Sequence, residues 1–481
     1  MADNHYSKEH DDNQIALIET LLTMQKVAFD GERYLSADKR IEDLKSLKSS
    51  ILKHQDLLVE ALSKDFGCRS KDDSKIADIM PTIMGINYSI KRIKSWMKPS
   101  KRHVGLMFQP AKAYVTYQPL GVVGIITPWN YPVFLALGPL TTALSAGNRA
   151  MIKMSEFTPE TNKVIAQIIS SVFSEDKVCI IDGGPSVAAH FSKQAFDHLI
   201  FTGSTRVGKI VMAAASENLT PVTLELGGKS PTILDDEIEI KDAVSRFILG
   251  KTLNAGQTCV APDYIMCPEG RVTEVVEEVK RQFIKMYPSI AENKDYGSII
   301  NDAQFERLQA WLDDAKEKGA ALVVASDEDA SAYAAQRKIP LTIVTNVNEE
   351  MTLMQEEIFG PILPIVPYKD VNKAIQFINS GPRPLALYLC SHNKALQQQF
   401  IEQTHAGGMC INDATLQVAQ DDMPFGGVGA SGMGHYHGHE GFLTLSKAKS
   451  VLEKGKFSNS SMAFPPYGKL VHSLIYRFFM R

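Results

Sequence analysis

Gly121-Val122-Val123-Gly124-Ile125-Ile126-Thr127 is a short apolar run that opens a series: Ala150–Met154, Val178–Ile181 and His198–Phe201 follow it, with helical periods between them. Apolar strands of this length, alternating with helices, mark βαβ units around a parallel sheet buried on both faces. The spacing predicts an α/β, Rossmann-like dinucleotide domain whose ligand sits beyond the carboxyl ends of its strands. Upstream, Ala16–Lys53 and Lys91–Met97 read as helices.

A second alternating block follows Gly227. It has strands at Pro231–Leu234, Asp263–Cys267 and Ala321–Val324, helices at Ala243–Leu253 and Val272–Met286, and it ends near Cys410. The chain then divides into a dinucleotide-binding part (1–226), a second α/β domain facing it across a cleft (227–410), and a return to the first with a C-terminal tail (411–481). Ala111–Gln118, rich in Tyr, Val and Thr, reads as one arm of a hairpin (about 103–118) with Leu445–Glu453 as its partner. Exposed strand edges pair with a second subunit, so a homodimer, or a tetramer built as a dimer of dimers, is expected.

The 481 residues are 44% hydrophobic and 22% charged, the balance of a folded globular chain. A formal net charge of −4 gives no electrostatic reason to expect nucleic acid and suits a small neutral substrate. The cysteines at 68, 179, 259, 267, 390 and 410 lack CxxC spacing. Neither a disulfide framework nor a zinc site follows from them, and a reducing cytoplasm is the simplest compartment. Met1-Ala2-Asp3-Asn4-His5 opens no signal-peptide pattern. The closing run Leu470–Arg481, LVHSLIYRFFMR, is too short to span a bilayer of about 30 Å. Docking on the protein's own surface, capping a dimer and weak peripheral membrane contact are all open to it. Ser326–Gln336 reads as a surface loop.

Chemistry gathers in two runs, Leu224-Glu225-Leu226-Gly227-Gly228-Lys229 and Asn254-Ala255-Gly256-Gln257-Thr258-Cys259-Val260-Ala261-Pro262. Alone, a cysteine is ordinarily a small buried hydrophobe and a glutamate beside glycines is solvated surface. Here glycines and alanines permit close approach of a substrate, and a thiol with a carboxylate makes a nucleophile and a base. Asn130, in Thr127-Pro128-Trp129-Asn130-Tyr131-Pro132, stands between a strand and a helix, where it serves either as a helix cap or as an oxyanion donor. Phe201-Thr202-Gly203-Ser204-Thr205-Arg206-Val207-Gly208-Lys209 is no GxGxxG, and Ile210 stands where a Walker loop needs Ser or Thr. What remains is a strand, a Gly203-Ser204 turn, and a helix whose first amides can face a pyrophosphate. The run His435-Tyr436-His437-Gly438-His439 lacks ordinary ligand spacing and reads as a structural loop rather than a metal site.

Letter for letter, the runs around Glu225 and Cys259 resemble the active-site signatures of the NAD(P)-dependent aldehyde dehydrogenases. Thr127–Pro132, Phe201–Lys209, Met354–Pro361 and Pro424–Gly434 resemble further motifs of that family in the same order. The resemblance spans roughly residues 15–465. It implies the aldehyde dehydrogenase fold: a Rossmann-like cofactor domain, an α/β catalytic domain and a small β oligomerisation arm. It implies Cys259 as nucleophile, Glu225 as general base and Asn130 as oxyanion donor. Thr127, Pro128, Trp129, Gly203, Ser204 and Gly208 would then meet the cofactor, Lys153 and Glu156 its adenosine ribose, and Glu357 and Phe359 its nicotinamide end. Tyr131, Phe134 and Phe425 would line the substrate tunnel. NAD is the implied cofactor, with NADP as an alternative, since Glu156 disfavours an added phosphate by charge.

Gln257–Tyr264, Met354–Pro361 and Ser431-Gly432-Met433-Gly434 resemble class 3 members, although this chain has Lys153-Met154-Ser155-Glu156 where these usually carry Lys-Pro-Ser-Glu. Ile181-Asp182-Gly183-Gly184, Phe196-Asp197-His198-Leu199 and Pro465-Pro466-Tyr467-Gly468 are similar to bacterial coniferyl aldehyde dehydrogenases. The implied reaction converts coniferyl aldehyde, or a related aromatic aldehyde, to the acid (ferulate) through a thiohemiacetal and a thioester on Cys259, without a metal. A medium- or long-chain aliphatic substrate is the alternative, and a non-catalytic, crystallin-like role is a further one that retention of Cys259, Glu225, Asn130 and Glu357 opposes.

Overall fold

The computed structural model describes residues 6–457 and 459–480. The run opening at Gly121 becomes the strand Val122–Ile126, every residue of it buried. It lies inside a six-stranded sheet ordered Gly432–Met433, Val222–Glu225, His198–Thr202, Val122–Ile126, Arg149–Lys153, Val178–Ile181. All run parallel except Gly432–Met433, which pairs antiparallel with Val222–Glu225. Strand order reverses between Val122–Ile126 and His198–Thr202, and at such a reversal the flanking loops part to leave a crevice beyond the carboxyl ends. Separate apolar clusters cover the faces, one containing Leu47, Ile125 and Leu140, the other Ile18, Phe191 and Leu199.

A seven-stranded sheet forms the second layer system, ordered Ala321–Val324, Thr342–Thr345, Ile362–Tyr368, Tyr264–Pro268, Pro231–Leu234, Ala386–Cys390, Gly408–Ile411. Only its first pair is antiparallel. Asp263, expected in a strand, stands just before one instead. Its carboxylate accepts the Ile358 N–H at 2.9 Å and pairs with Lys229, so it serves the loop rather than the ladder.

Ala111–Pro119 and Ser446–Lys454 pair antiparallel along their whole length, with Ser100–Arg102 on the other edge. The expected partner is thus present, one residue further along. Residues 103–110 are not strand, because Leu106–Phe108 forms a 3₁₀ turn and Gln109-Pro110 follows it. The single N-terminal helix expected over Ala16–Lys53 is two helices, Lys8–Gly31 and Ala37–Phe66. Ser36 breaks it: its side chain accepts the Lys39 N–H and caps a new helix. Lys91–Met97 is the end of a longer helix, Met80–Trp96, entered through a π-helical turn at Ser74–Ile79. Ser326–Gln336 lies outside the sheets, with two 3₁₀ turns. Leu470–Phe479 is a helix that buries His472 and exposes Leu474 and Phe478. Among the described residues no helix is long and apolar enough to cross a membrane.

Candidate active site

The two sheets meet at a cleft of about 830 Å³. Pro128, Trp129, Asn130, Gly203, Ser204 and Glu225 line it from the first sheet, and Cys259, Glu357 and Phe359 from the second. Cys259 is presented by a strained turn. The helix Ile240–Thr252 ends, and Asn254, Ala255 and Gly256 follow with φ of 50°, 52° and 76°. Left-handed backbone at non-glycine residues costs on the order of 1–3 kcal/mol each and persists only when its surroundings hold it. Several groups do so here. Asp73 accepts the Asn254 N–H at 3.0 Å, and the Gln257 amide donates to the Asn254 and Ser298 carbonyls, both at 3.0 Å. At Gly256 no side chain fits, because a Cβ would stand 2.5 Å from the Gly360 carbonyl oxygen.

Glu225 ends the strand Val222–Glu225, buried, with no hydrogen-bond partner for either carboxylate oxygen. Burial raises its pKa well above the ordinary carboxylate value. Desolvation pushes the Cys259 thiol up to about 12, the charges of Glu357 and Glu225 add to this, and the backbone N–H groups of Cys259 and Val260 oppose it. Glu357 is raised to about 8, first by burial and then by Asp263, against the Gly228 N–H, Lys229 and Arg307. Burial therefore disfavours the charged form of both the thiol and the carboxyl. A cation entering the cleft would favour the ionised form of both.

Asn130 does not cap the following helix, since Tyr131 occupies that position without a side-chain bond. Its Nδ2 donates to the Gln257 carbonyl at 3.1 Å, and its own carbonyl accepts from Arg69 Nη1 at 2.9 Å and Asn254 Nδ2 at 3.1 Å. Tyr131 hydrogen-bonds Thr258 at 2.8 Å, which ties the Asn130 loop to the residue before Cys259. Arg69 was not foreseen. Its buried side chain lies 3.7 Å from both Asp73 and Asp78 and 4.8 Å from the centroid of the Tyr131 ring. In sequence nothing separates it from a surface arginine.

Ser204 caps the helix Thr205–Ser216, accepting the Val207 N–H, and no acid occupies the first turn. Arg206, Lys209 and Arg383, also unforeseen, line the cleft beside it. An open helix N-terminus with three cations and no acid fits a pyrophosphate. Gly208 is not on the cleft wall: it lets the helix close onto Leu226, whose Cδ2 would lie 2.7 Å from a Cβ there. Thr127 is buried and bonds the Lys153 carbonyl at 3.2 Å. Lys153 is buried as well, donating to the Met154 and Gly183 carbonyls at 2.7 Å, and burial lowers its pKa. Glu156 is half-buried. Lys153 and Glu156 lie outside the cleft lining, as do Tyr131, Phe134 and Phe425. Phe134 and Phe425 meet elsewhere, on either side of His437, with ring centroids 5.7 and 5.2 Å from it. Among the described residues no three His, Cys, Asp or Glu side chains are grouped to hold a metal.

Comparison with known proteins agrees with this geometry. The sequence profile described as "Aldehyde dehydrogenase family" matches residues 8–451. A probable coniferyl aldehyde dehydrogenase of Pseudomonas aeruginosa is 53% identical over 97% of this chain and 97% of its own. Among solved structures, the substrate-bound state of Staphylococcus aureus AldH superposes with a TM-score of 0.91 at 39% identity, covering 96% of this chain and 99% of that one. A Mycobacterium tuberculosis aldehyde dehydrogenase complexed with NAD+ superposes with a TM-score of 0.84 at 27% identity, covering 92% and 91%. With the family profile running through both sheets, the chain belongs to the aldehyde dehydrogenase family and is an NAD(P)-dependent enzyme of it.

Proposed function

We propose that this enzyme oxidises coniferyl aldehyde, or a closely related aromatic aldehyde, to the corresponding acid, with Cys259 as nucleophile, Glu225 as base and Asn130 as oxyanion donor. The observation that carries the reading is the placement of a thiol, a partnerless buried carboxyl and a side-chain amide on one cleft beside an acid-free helix N-terminus. The substrate class rests on the name of the Pseudomonas aeruginosa relative. We assign residues 1–226 to the cofactor part, 227–410 to the catalytic part and 411–481 to the return.

In this reading the Cys259 Sγ passes its proton to solvent water and bonds the aldehyde carbon, and the carbonyl oxygen takes the electron pair of the broken C=O π bond to become an oxyanion held by Asn130 Nδ2 and the Cys259 N–H. When bound, the nicotinamide cofactor would supply a two-electron acceptor for the hydride on this carbon, whose loss leaves a thioester on Cys259. Glu225, in its carboxylate form, takes a proton from water, the resulting hydroxide adds to the acyl carbon and displaces Cys259 as thiolate, and the proton held on Glu225 passes to that sulfur as the acid leaves. Ser204 and the amides behind it would hold the pyrophosphate with Arg206 and Lys209, and Glu357 and Phe359 the nicotinamide end. Lys153 and Glu156 would bind the adenosine ribose, and the Glu156 charge favours NAD over NADP.

The exposed edge of Ser446–Lys454 supports a homodimer, or a tetramer built from it, and the apolar face of Leu470–Phe479 supports weak peripheral membrane contact by an otherwise cytoplasmic enzyme. The deciding experiment follows cofactor reduction with coniferyl aldehyde, benzaldehyde, hexanal and decanal, each with NAD and with NADP. Highest kcat/KM for coniferyl aldehyde with NAD is expected, and highest kcat/KM for decanal would replace this substrate with a lipid aldehyde.

A further inference from the structure

We propose that Asp11 is a positioning residue of the cofactor site: it fixes the peptide between Gly183 and Gly184, on which the Lys153 ammonium rests, and through Lys153 it sets the affinity for NAD. The inference rests on the reading of Lys153 as a ribose ligand. It extends the cofactor site to the N-terminal helix Lys8–Gly31, which lies outside the cleft.

One peptide unit joins the two residues. Its carbonyl, that of Gly183, accepts from Lys153 Nζ at 2.7 Å, and its N–H, that of Gly184, donates to Asp11 Oδ1 at 2.9 Å. A peptide held on both sides cannot rotate without breaking both bonds. Gly183 has φ 119°, and a Cβ there would stand 2.6 Å from Val187 Cγ2 and 3.0 Å from Asp11 Oδ1, so the turn needs glycine and Asp11 closes over it.

The helix Pro185–Ser192 explains why an acid stands at position 11. Its N-cap residue, Gly184, has no side chain, and Pro185 has no N–H. The Asp11 carboxylate, buried, supplies the cap from another helix: its second oxygen accepts from Ser186 Oγ at 2.5 Å, and its charge suits a helix N-terminus. His10 bonds Asp182 at 2.9 Å. Residues 10 and 11 thus hold the whole of Asp182-Gly183-Gly184, part of one of the stretches that resemble the coniferyl aldehyde dehydrogenases.

Lys153 connects this peptide to the cleft. Its backbone carbonyl accepts the Thr127 N–H at 3.0 Å, and Thr127 precedes Pro128 on the cleft wall. An ammonium has three N–H donors. The Met154 and Gly183 carbonyls take two of those on Lys153, each at 2.7 Å, which aims the third, the one a ribose hydroxyl would accept. Loss of Asp11 frees the peptide to turn, takes one carbonyl from the ammonium and leaves that third donor unaimed. Asp11 is also, with Glu156 and Asp182, one of the carboxylates whose charge opposes the effect of burial on Lys153.

The test measures NAD binding directly, by quenching of tryptophan fluorescence, since Trp129 is on the cleft wall. Wild type, Asp11→Ala, Lys153→Ala and the double variant are compared, with chemical denaturation and steady-state kinetics alongside. Asp11→Ala should raise Kd for NAD by about fivefold or more, the loss of one charged hydrogen bond, and leave aldehyde KM and kcat at saturating NAD within about twofold. In the double variant Kd should lie within about twofold of Lys153→Ala alone, because a residue that acts through another adds nothing once that one is gone. Additive losses in Kd would make Asp11 merely structural and overturn the proposal, as would an Asp11→Ala affinity equal to that of wild type. Gly183→Ala, which displaces the same peptide and leaves Asp11 in place, should show the same selective loss and decides the matter if Asp11→Ala does not fold; unchanged Kd in it overturns the proposal. Wild-type Kd in Lys153→Ala would instead remove the ribose reading itself, and this inference with it.

Discussion

In the proposed reaction Cys259 and Glu225 must each lose a proton to work, and burial opposes this in both, pushing the Cys259 thiol up to about 12 and raising the Glu225 carboxyl. Activity should therefore climb as pH rises, since a higher pH populates the forms that attack and that accept a proton. We expect kcat/KM to increase as pH rises toward the Cys259 value of about 12, read from initial rates of cofactor reduction. Glu225→Gln separates the two halves of the reaction. It should keep a single-turnover burst of reduced cofactor and lower steady-state turnover by about 10²–10⁴-fold; loss of the burst as well would show that the carboxylate serves the first step too. Cys259→Ala should abolish reduced-cofactor production while cofactor binding, followed by fluorescence titration, stays within about twofold of wild type. These residues were legible in the sequence because their neighbours are small. Arg69 was not, because burial is a property of position in three dimensions, and a lone arginine in Cys68-Arg69-Ser70 carries no sign of it.

The strained turn Asn254–Gly256 and the π-helical turn Ser74–Ile79 belong to different parts of the chain, yet Asp73, Asp78 and Arg69 join them to the Asn130 loop. Arg69→Met removes one of two donors to the Asn130 carbonyl and the cation 3.7 Å from the Asp73 and Asp78 carboxylates. Breaking a buried pair in this way costs about 3–5 kcal/mol, measurable by chemical denaturation. Misplacing Asn130 by about 1 Å should also reduce kcat by up to about 100-fold, and Arg69→Lys should recover stability more fully than rate because ammonium lacks the planar fork. Strand positions were well anticipated, since buried parallel strands are nearly continuous apolar runs: Val178–Ile181 and Pro231–Leu234 stand where periodicity puts them. The break between Gly31 and Ala37 was missed because apolar spacing continues across it, and only the Ser36 cap reveals the interruption.

At the scale of the molecule, the core lies in and around the two sheets, and among the described residues after Lys454 only His472 is buried. Truncation after Lys456 should leave cofactor reduction intact and change stability by less than about 1 kcal/mol, read by denaturation alongside the full chain; a large loss would place the tail in the structural core of the enzyme. The sequence by itself determined the α/β class, the alternation of strands, the partnership of the arm with the strand after Leu445, and the pair Cys259 and Glu225. Each of these is written in local pattern: apolar period, glycine and small-residue spacing, residue chemistry. Only the tertiary structure decided that Asn130 is no cap, that Lys153 is buried away from the cleft wall, that Arg206, Lys209 and Arg383 converge beside Ser204, and that Phe134 and Phe425 meet across His437. The physical reason is common to all four: desolvation and contact depend on what the rest of the chain brings to a residue, and residues such as Phe134 and Phe425, nearly three hundred positions apart, share nothing in sequence that records their meeting.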